Sequence, residues 1–299
     1  MINELRKYAD VEEHASLKTY NTYRINGKVK YLISPNSIQD LNNVIKLLND
    51  YKVKYMVLGN GSNIVLNDRE YNGAMIKLSK LDGIEVYPDK NMAYAEAGAM
   101  LPNLVKIAVD NSMTGLEFAA GIPGTIGGAV YGNAGAYNAC ILDYVTSVTC
   151  LDKESLEIVT LEHEEFSYSY RTSSFKEDKK YIILGAKFYL KTGDKENSLD
   201  IMEDRQRRRV SSQPLEYPSA GSVFRNPEGE FAGKLIEDSG LKGKKHGGAM
   251  ISDKHANFVI NYDNASAEDI KYLIDLAHDT VLKNYDIDMK IEQEFVNWE

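Results

Sequence analysis

Residues 121–137, GIPGTIGGAVYGNAGAY, hold six of the chain's 22 glycines and no Lys, Arg, Asp or Glu. Glycine gathers this way where backbone must come close to something or adopt a positive φ. A run of small residues can turn successive N–H groups toward an anion such as a diphosphate. The alternative is a tight buried crossing of two backbone segments. A second loop, Leu58-Gly59-Asn60-Gly61-Ser62-Asn63, reads either as a plain Asn-Gly turn or as a partner to the first. Cys140 and Cys150 form no CxxC pair and are expected as reduced core residues. His14, His163, His246, His255 and His278 form no HExxH or HxH pattern, so no metal site is expected. Arg205, Arg207, Arg208 and Arg209 make a basic cluster on one predicted helix, and at least half of them should be solvated. Glu292 and Glu294 alternate on a predicted strand and would share one face, so spacing does not choose between them.

The elements that must position these groups are legible in outline. Ser37 can cap a helix over 37–49, with Asp40 three residues on and Ile38, Leu41, Val44, Ile45 and Leu48 as the apolar stripe. Short strands are expected at 55–58, 64–66 and 74–78, the last two separated by Asn67-Asp68 and Asn72-Gly73 turns. A strand at 92–97 leads to a helix over 101–111, with Pro102 in its first turn. Strands follow at 144–151, 157–160 and 181–190, with residues 166–176 (FSYSYRTSSFK) as a short polar link. A charged helix is expected over 198–209, ended by Gln213-Pro214. Helices at 232–239 and 266–285 and strands at 249–251, 258–261 and 290–296 complete the chain. Short strands with segregated helices read as α+β. The expected division is 1–80, 81–195 and 196–299, with a change of domain near the polar 191–197 segment.

Length and composition bound the class. The chain has 299 residues, 43% apolar and 26% charged, which suits about two domains with a large core. A formal charge of −9 argues against a general nucleic-acid binder, though not against a local basic pocket. No apolar run approaches the roughly 20 residues that span a bilayer. The charged opening MINELRKYADVEEH has no signal-peptide core, so a cytoplasmic protein without membrane or nucleic-acid partners is expected.

The loop at 58–63 follows a strand, which calls for a test against the dinucleotide fingerprint G-x-G-x-x-G. Ile64 stands where the third glycine should, and a strand follows where a helix should. There is also no G-x-x-x-x-G-K-[ST]. A dinucleotide would therefore be held by two separate glycine loops. That pairing, taken with further stretches, resembles the UDP-N-acetylenolpyruvoylglucosamine reductase family. The matching stretches are Thr22-Tyr23-Arg24-Ile25-Asn26-Gly27, the 58–63 loop, residues 121–137, Tyr170-Arg171-Thr172-Ser173-Ser174-Phe175-Lys176, residues 218–227 (PSAGSVFRNP) and Glu292-Gln293-Glu294. They occur in the family's order and cover most of the chain. Only four residues separate Lys176 from the strand at Tyr181, which resembles the short-loop (type II) subclass, argues against a lid role for this region and implies a more open substrate entrance. Asn26 stands where the family usually has glycine; asparagine tolerates positive φ, so little change is expected.

The resemblance implies an FAD-binding domain of the vanillyl-alcohol-oxidase type, built of two subdomains, and a C-terminal α+β substrate domain whose last strand returns to the active site. It implies bound FAD, NADPH as co-substrate and a UDP-sugar enolpyruvyl ether as substrate. The implied reaction yields UDP-N-acetylmuramate for peptidoglycan, and so serves cell-wall biogenesis, cell shape and division. Hydride addition to an enolpyruvate builds negative charge on the α-carbon and carboxylate, so a cation must meet it and an acid must quench it. The resemblance casts Ser222 as the proton donor, Arg171 as the catalytic arginine and Glu294 as the catalytic glutamate. It places Gly59, Gly61, Ser62, Asn63, Gly124, Gly127, Gly128, Arg24 and Asn133 at FAD, and Tyr217, Arg225 and Asn226 at the UDP-sugar. Without the motif, Ser222 is a loop serine bonding its own backbone, Arg171 a stacked surface group and Glu294 a surface carboxylate. A sugar-lactone or alcohol oxidase on the same scaffold, and a non-catalytic UDP-sugar binder, are the rival readings. A monomer is expected rather than an obligate oligomer.

Overall fold

The computed structural model describes residues 1–298. Two compact units account for it. The first comprises Met1–Glu13, Tyr31–Asn60 and Gly73–Arg207; the second comprises His14–Lys30, Gly61–Asn72 and Arg208 onward. The units do not follow chain order. Ile64–Leu66 pairs in parallel with Glu294–Val296, which brings residues 61–72 to the C-terminal third.

In the first unit a five-stranded antiparallel sheet runs in the order Ile158–Glu162, Val145–Asp152, Tyr181–Tyr189, Met92–Glu96, Ile84–Tyr87. Its inner strands are runs of buried apolar residues, Ile182 to Ala186 among them, as strands covered on both faces must be. The Ile84–Tyr87 strand was not expected. It alternates half-buried and exposed side chains and is joined to its neighbour through Asn91, at φ 52°. The Leu101–Asp110 helix begins with Pro102 and buries Leu104, Val105, Ala108 and Val109, as its spacing predicts. Ser37 caps the Ile38–Asp50 helix, its hydroxyl accepting from the Asp40 N–H at 3.0 Å. These elements share one core, from Leu5 to Leu190.

A four-stranded sheet has the order Ala9–Ser16, Lys28–Pro35, Glu70–Ile76, Tyr55–Val57. The first two strands were not expected. The turn expected at Asn72-Gly73 lies inside the third strand: Gly73 to Ile76 is a fully buried run that must find sheet partners, and the Asn72 side chain points to solvent. The charged helix is longer than expected at both ends, Lys195–Ser212.

The second unit is a three-stranded antiparallel sheet of Lys245–His246, Ala249–Ile251 and Val259–Asn261, with helices Ala232–Asp238 and Ala267–Tyr285. Ser266 and Asp269 form a reciprocal cap on the longer helix: the Ser266 hydroxyl accepts at 3.1 Å and the Asp269 carboxylate at 2.9 Å. Ile270, Leu273, Ile274, Ala277 and Val281 make its buried face. The strand expected over 290–296 is confined to Glu294–Val296, preceded by a single bridge from Ile291 to Phe224. Among the described residues no helix is long and apolar enough to cross a membrane.

Candidate active site

The glycine stretch in the first unit is two things at once. Gly127 is a packing glycine: an added Cβ would come within 3.0 Å of Ala97 Cβ, and its N–H donates to the Ala97 carbonyl at 2.9 Å. Ile126 donates to Ala99 at 2.8 Å, and Gly128 to the Thr125 hydroxyl at 3.3 Å. The row of outward N–H groups anticipated from composition therefore does not extend over 126–128; those donors serve the fold. Gly124 and Gly128 differ. A Cβ at Gly124 would meet only Ile122 Cγ2, at 4.0 Å, and one at Gly128 only Thr125 Oγ1, at 3.5 Å. Neither has a positive φ. Their lack of a side chain leaves an open face that the fold does not require, which fits close approach of a ligand.

The second loop is tied to this stretch. Asn60 Nδ2 donates to the Pro123 carbonyl at 2.6 Å, and a Cβ on Gly59 would lie 3.0 Å from Thr125 Oγ1. The Gly59 carbonyl accepts from Lys77 Nζ. Nothing in the spacing of Lys77 sets it apart from a surface lysine. Burial lowers its ammonium to about 8, from an ordinary 10.5. Between those two pH values the unfolded chain holds the proton and the folded chain does not, so stability at this site rises with pH. Wild type is expected to gain stability relative to Lys77→Met between pH 8 and 10.5, read as a difference in urea midpoints. A constant difference over that window would count against a buried ammonium.

Arg171 sits at the tip of a two-residue hairpin between Tyr168–Ser169 and Thr172–Ser173, at φ 61°. Two bonds fix the hairpin. Asn133 Nδ2 donates to the Ser169 carbonyl at 2.9 Å, and the Ser173 hydroxyl donates to the Tyr131 carbonyl at 2.6 Å. Both acceptor and donor residues at 131–133 belong to the glycine stretch, so Asn133, buried and at φ 46°, couples that stretch to Arg171. The segment 166–176 is not merely a polar link. Phe166 and Phe175 are buried with ring centroids 5.3 Å apart, and Ser174–Asp178 is a short helix. The Arg171 guanidinium lies 5.5 Å from the Tyr170 ring. Of the basic cluster, Arg205 stacks on Tyr137 at 4.8 Å, while Arg207 and Arg208 are exposed.

In the second unit Ser222 follows a turn set by Gly221, at φ 77° with open space where a Cβ would be. The requirement there is conformation, not room. Asn257 holds the next residues: its carbonyl accepts from Val223 N–H at 2.9 Å, and its side chain bonds both backbone groups of Phe224, at 2.9 and 2.8 Å. Residues 223–225 run beside 290–292, with Glu292 N–H donating to Val223 at 2.8 Å and Arg225 N–H to Lys290 at 2.9 Å. The Glu294 N–H donates to the Asn63 carbonyl at 2.9 Å, and Asn63 Nδ2 to the Glu292 carbonyl at 3.1 Å. The Ser222 turn, Asn63 and the strand of Glu294 are thereby one backbone-bonded assembly. Glu292 carries an ion pair to Arg225 Nε at 2.9 Å.

Gly61 is at φ 65°, and a Cβ there would strike the Tyr20 carbonyl oxygen. Gly61→Ala should destabilise the protein by about 1–3 kcal/mol or more, whereas Gly124→Ala should leave the urea midpoint unchanged. Loss of stability in Gly124→Ala would contradict the open face. Arg24 is exposed, at φ 58°. Asn26 is not at positive φ; the close approach is at Gly27, where a Cβ would lie 2.8 Å from the Asn67 carbonyl. Ser62 is half-buried. Asn226 Oδ1 accepts from Ala232 N–H at 3.2 Å and so starts the Ala232–Asp238 helix. Tyr217 is exposed. Cys150 is buried, its thiol pushed up to about 12 by burial, and Cys140 is half-buried.

A family model described as an FAD binding domain matches residues 29–161. A Phl p 4 variant described as a glucose oxidase shares the fold at TM-score 0.50 and 14% identity, over 65% of this chain and 44% of its own. The chain is an α+β flavoprotein with an FAD-binding domain and a second, C-terminal domain. That second domain is matched over residues 213–296 by the model for the UDP-N-acetylenolpyruvoylglucosamine reductase C-terminal domain. The reductase of that name from Caldicellulosiruptor bescii is 45% identical over 94% of this chain and 88% of its own. The one from Clostridium kluyveri is 42% identical over 98% and 96%. A crystal structure of the Thermus caldophilus enzyme aligns with TM-score 0.82 and 31% identity, covering 96% of this chain and 99% of that one. The chain belongs to the UDP-N-acetylenolpyruvoylglucosamine reductase family.

Proposed function

We propose that this chain reduces UDP-N-acetylglucosamine enolpyruvate to UDP-N-acetylmuramate at the expense of NADPH, in peptidoglycan precursor synthesis. Membership of the family over nearly the whole chain carries this reading. Bound FAD would supply the hydride chemistry that links NADPH to the substrate β-carbon. The open faces of Gly124 and Gly128 fit such a group. Gly59, Gly61, Ser62, Asn63, Gly127, Arg24 and Asn133 complete its proposed contacts, Gly61, Gly127 and Asn133 by shaping the backbone around it.

The chain's own residues manage charge and protons. The Ser222 hydroxyl gives its proton to the substrate α-carbon. Arg171 stabilises the carboxylate as charge builds there, its planar fork suiting two oxygens. Glu294 holds the reacting end of the substrate. Tyr217, Asn226 and Arg225 bind the UDP portion; Arg225 gives its Nε to Glu292, so the remaining guanidinium nitrogens take the diphosphate. A monomer working in the cytoplasm is the accompanying reading.

Purified protein should show flavin absorbance and consume NADPH when the enolpyruvyl nucleotide is supplied. A colourless protein that takes up no FAD would sink the proposal. Turnover of a sugar with oxygen as acceptor, and none with the nucleotide, would favour an oxidase.

A further inference from the structure

Gln293 lies between two glutamates and carries no charge, yet it is among the most buried polar residues of the second unit, 4% exposed. Its amide is fully committed. Nε2 donates to the Ala220 carbonyl at 3.2 Å and to the Gly221 carbonyl at 3.1 Å, while Oε1 accepts from the Tyr23 hydroxyl at 3.1 Å. Rotating the amide by half a turn would set its oxygen against two carbonyl oxygens, so the orientation is unique. Tyr23 is completely buried, and burial pushes its hydroxyl well above the usual range, which keeps it a donor. The Tyr23 backbone is held in turn by Asn261 Nδ2 at 2.8 Å.

The two carbonyls that Gln293 grips are those of the turn preceding Ser222. That turn needs the positive φ of Gly221, where a Cβ would meet open space, while Ala220 beside it is buried. Gln293 is covalently next to Glu294, whose N–H is fixed on Asn63. One buried side chain therefore ties the turn before Ser222 to the strand of Glu294.

We propose that Gln293 is a positioning residue for proton delivery: its amide holds the Ala220–Gly221 turn in register with the Glu294 strand, so that the Ser222 hydroxyl is aimed at the substrate. This rests on Ser222 being the proton donor. Small errors of placement are expensive in such a step, up to about 100-fold for about 1 Å. Methionine keeps the length of Gln293 and removes both hydrogen-bonding functions.

The test is rapid-mixing kinetics of the full-length, FAD-loaded protein. Gln293→Met should leave flavin reduction by NADPH within about twofold of wild type. It should slow reoxidation by the enolpyruvyl nucleotide about 10- to 100-fold at unchanged KM, with a larger solvent deuterium isotope effect on that step. In a Ser222→Ala background it should add nothing. Tyr23→Phe removes only the hydroxyl that orients the amide; it should slow the same half-reaction by a smaller factor, and it carries the test if Gln293→Met does not fold. Equal losses in both half-reactions, unchanged reoxidation, or a full additional loss on top of Ser222→Ala would overturn the inference. If Ser222→Ala itself reoxidises at the wild-type rate, the donor assignment has failed and takes the inference with it. If Ser222→Ala is slow and neither Gln293→Met nor Tyr23→Phe is, the role of Gln293 alone has failed.

Discussion

Ser222→Ala is expected to divide the catalytic cycle cleanly. Reduction of the flavin by NADPH should proceed at the wild-type rate, because no proton from Ser222 enters that step. Reoxidation by the enolpyruvyl nucleotide should slow by about 10²–10⁴, the usual worth of a placed general acid. The substitution removes one hydroxyl from a turn whose shape is set by others. Gly221 provides the positive φ, Gln293 bonds the two preceding carbonyls, and Asn257 bonds the two following residues. A general collapse of the site is therefore not the expected cause. Stopped-flow absorbance separates the two steps, and equal loss in both would contradict the assignment.

Arg171→Ala is expected to slow the same second half-reaction by about 10²–10³, equivalent to about 3–4 kcal/mol of transition-state stabilisation. Arg171→Lys should recover only part of this loss, since an ammonium restores charge without the two-pronged geometry. The hairpin should survive either change. Its roots are the buried Phe166 and Phe175 and the bonds from Asn133 and Ser173, none of which involve the Arg171 side chain. Alanine tolerates φ 61° poorly, as arginine does, so the backbone cost is common to both. Wild-type reoxidation in Arg171→Ala would make this arginine what its position over Tyr170 also permits, a stacked surface group.

Much of this was legible in the residues. The helices at 38–50 and 267–285 declare themselves through caps and apolar spacing, that at 101–110 through Pro102 and apolar spacing, and the inner strands of the large sheet through continuous apolar runs. The strands Ala9–Ser16 and Lys28–Pro35 were not, because their charged and apolar residues keep no strict alternation that a period of two would reveal. The Asn72-Gly73 pair misled for a plain reason: turn chemistry is local, and the buried run after it imposed a strand. At the site, motif residues named the chemistry, but their supports were hidden. Lys77, Asn257 and Gln293 act through bonds to backbone groups far away in sequence, with separations of 18, 33 and 73 residues. No spacing rule anticipates such contacts. The glycines show the same limit. Composition marks all of 121–137 alike, whereas the fold assigns Gly127 to packing and leaves Gly124 and Gly128 open.

A single turnover without oxygen separates reduction of the nucleotide from oxidase chemistry. Protein carrying FAD is reduced with one equivalent of NADPH and then mixed with UDP-N-acetylglucosamine enolpyruvate. Reduction of the nucleotide by the flavin requires rapid return of the oxidised flavin spectrum with one equivalent of UDP-N-acetylmuramate formed. A flavin that stays reduced with the nucleotide present, and is reoxidised only when oxygen is admitted, would contradict it.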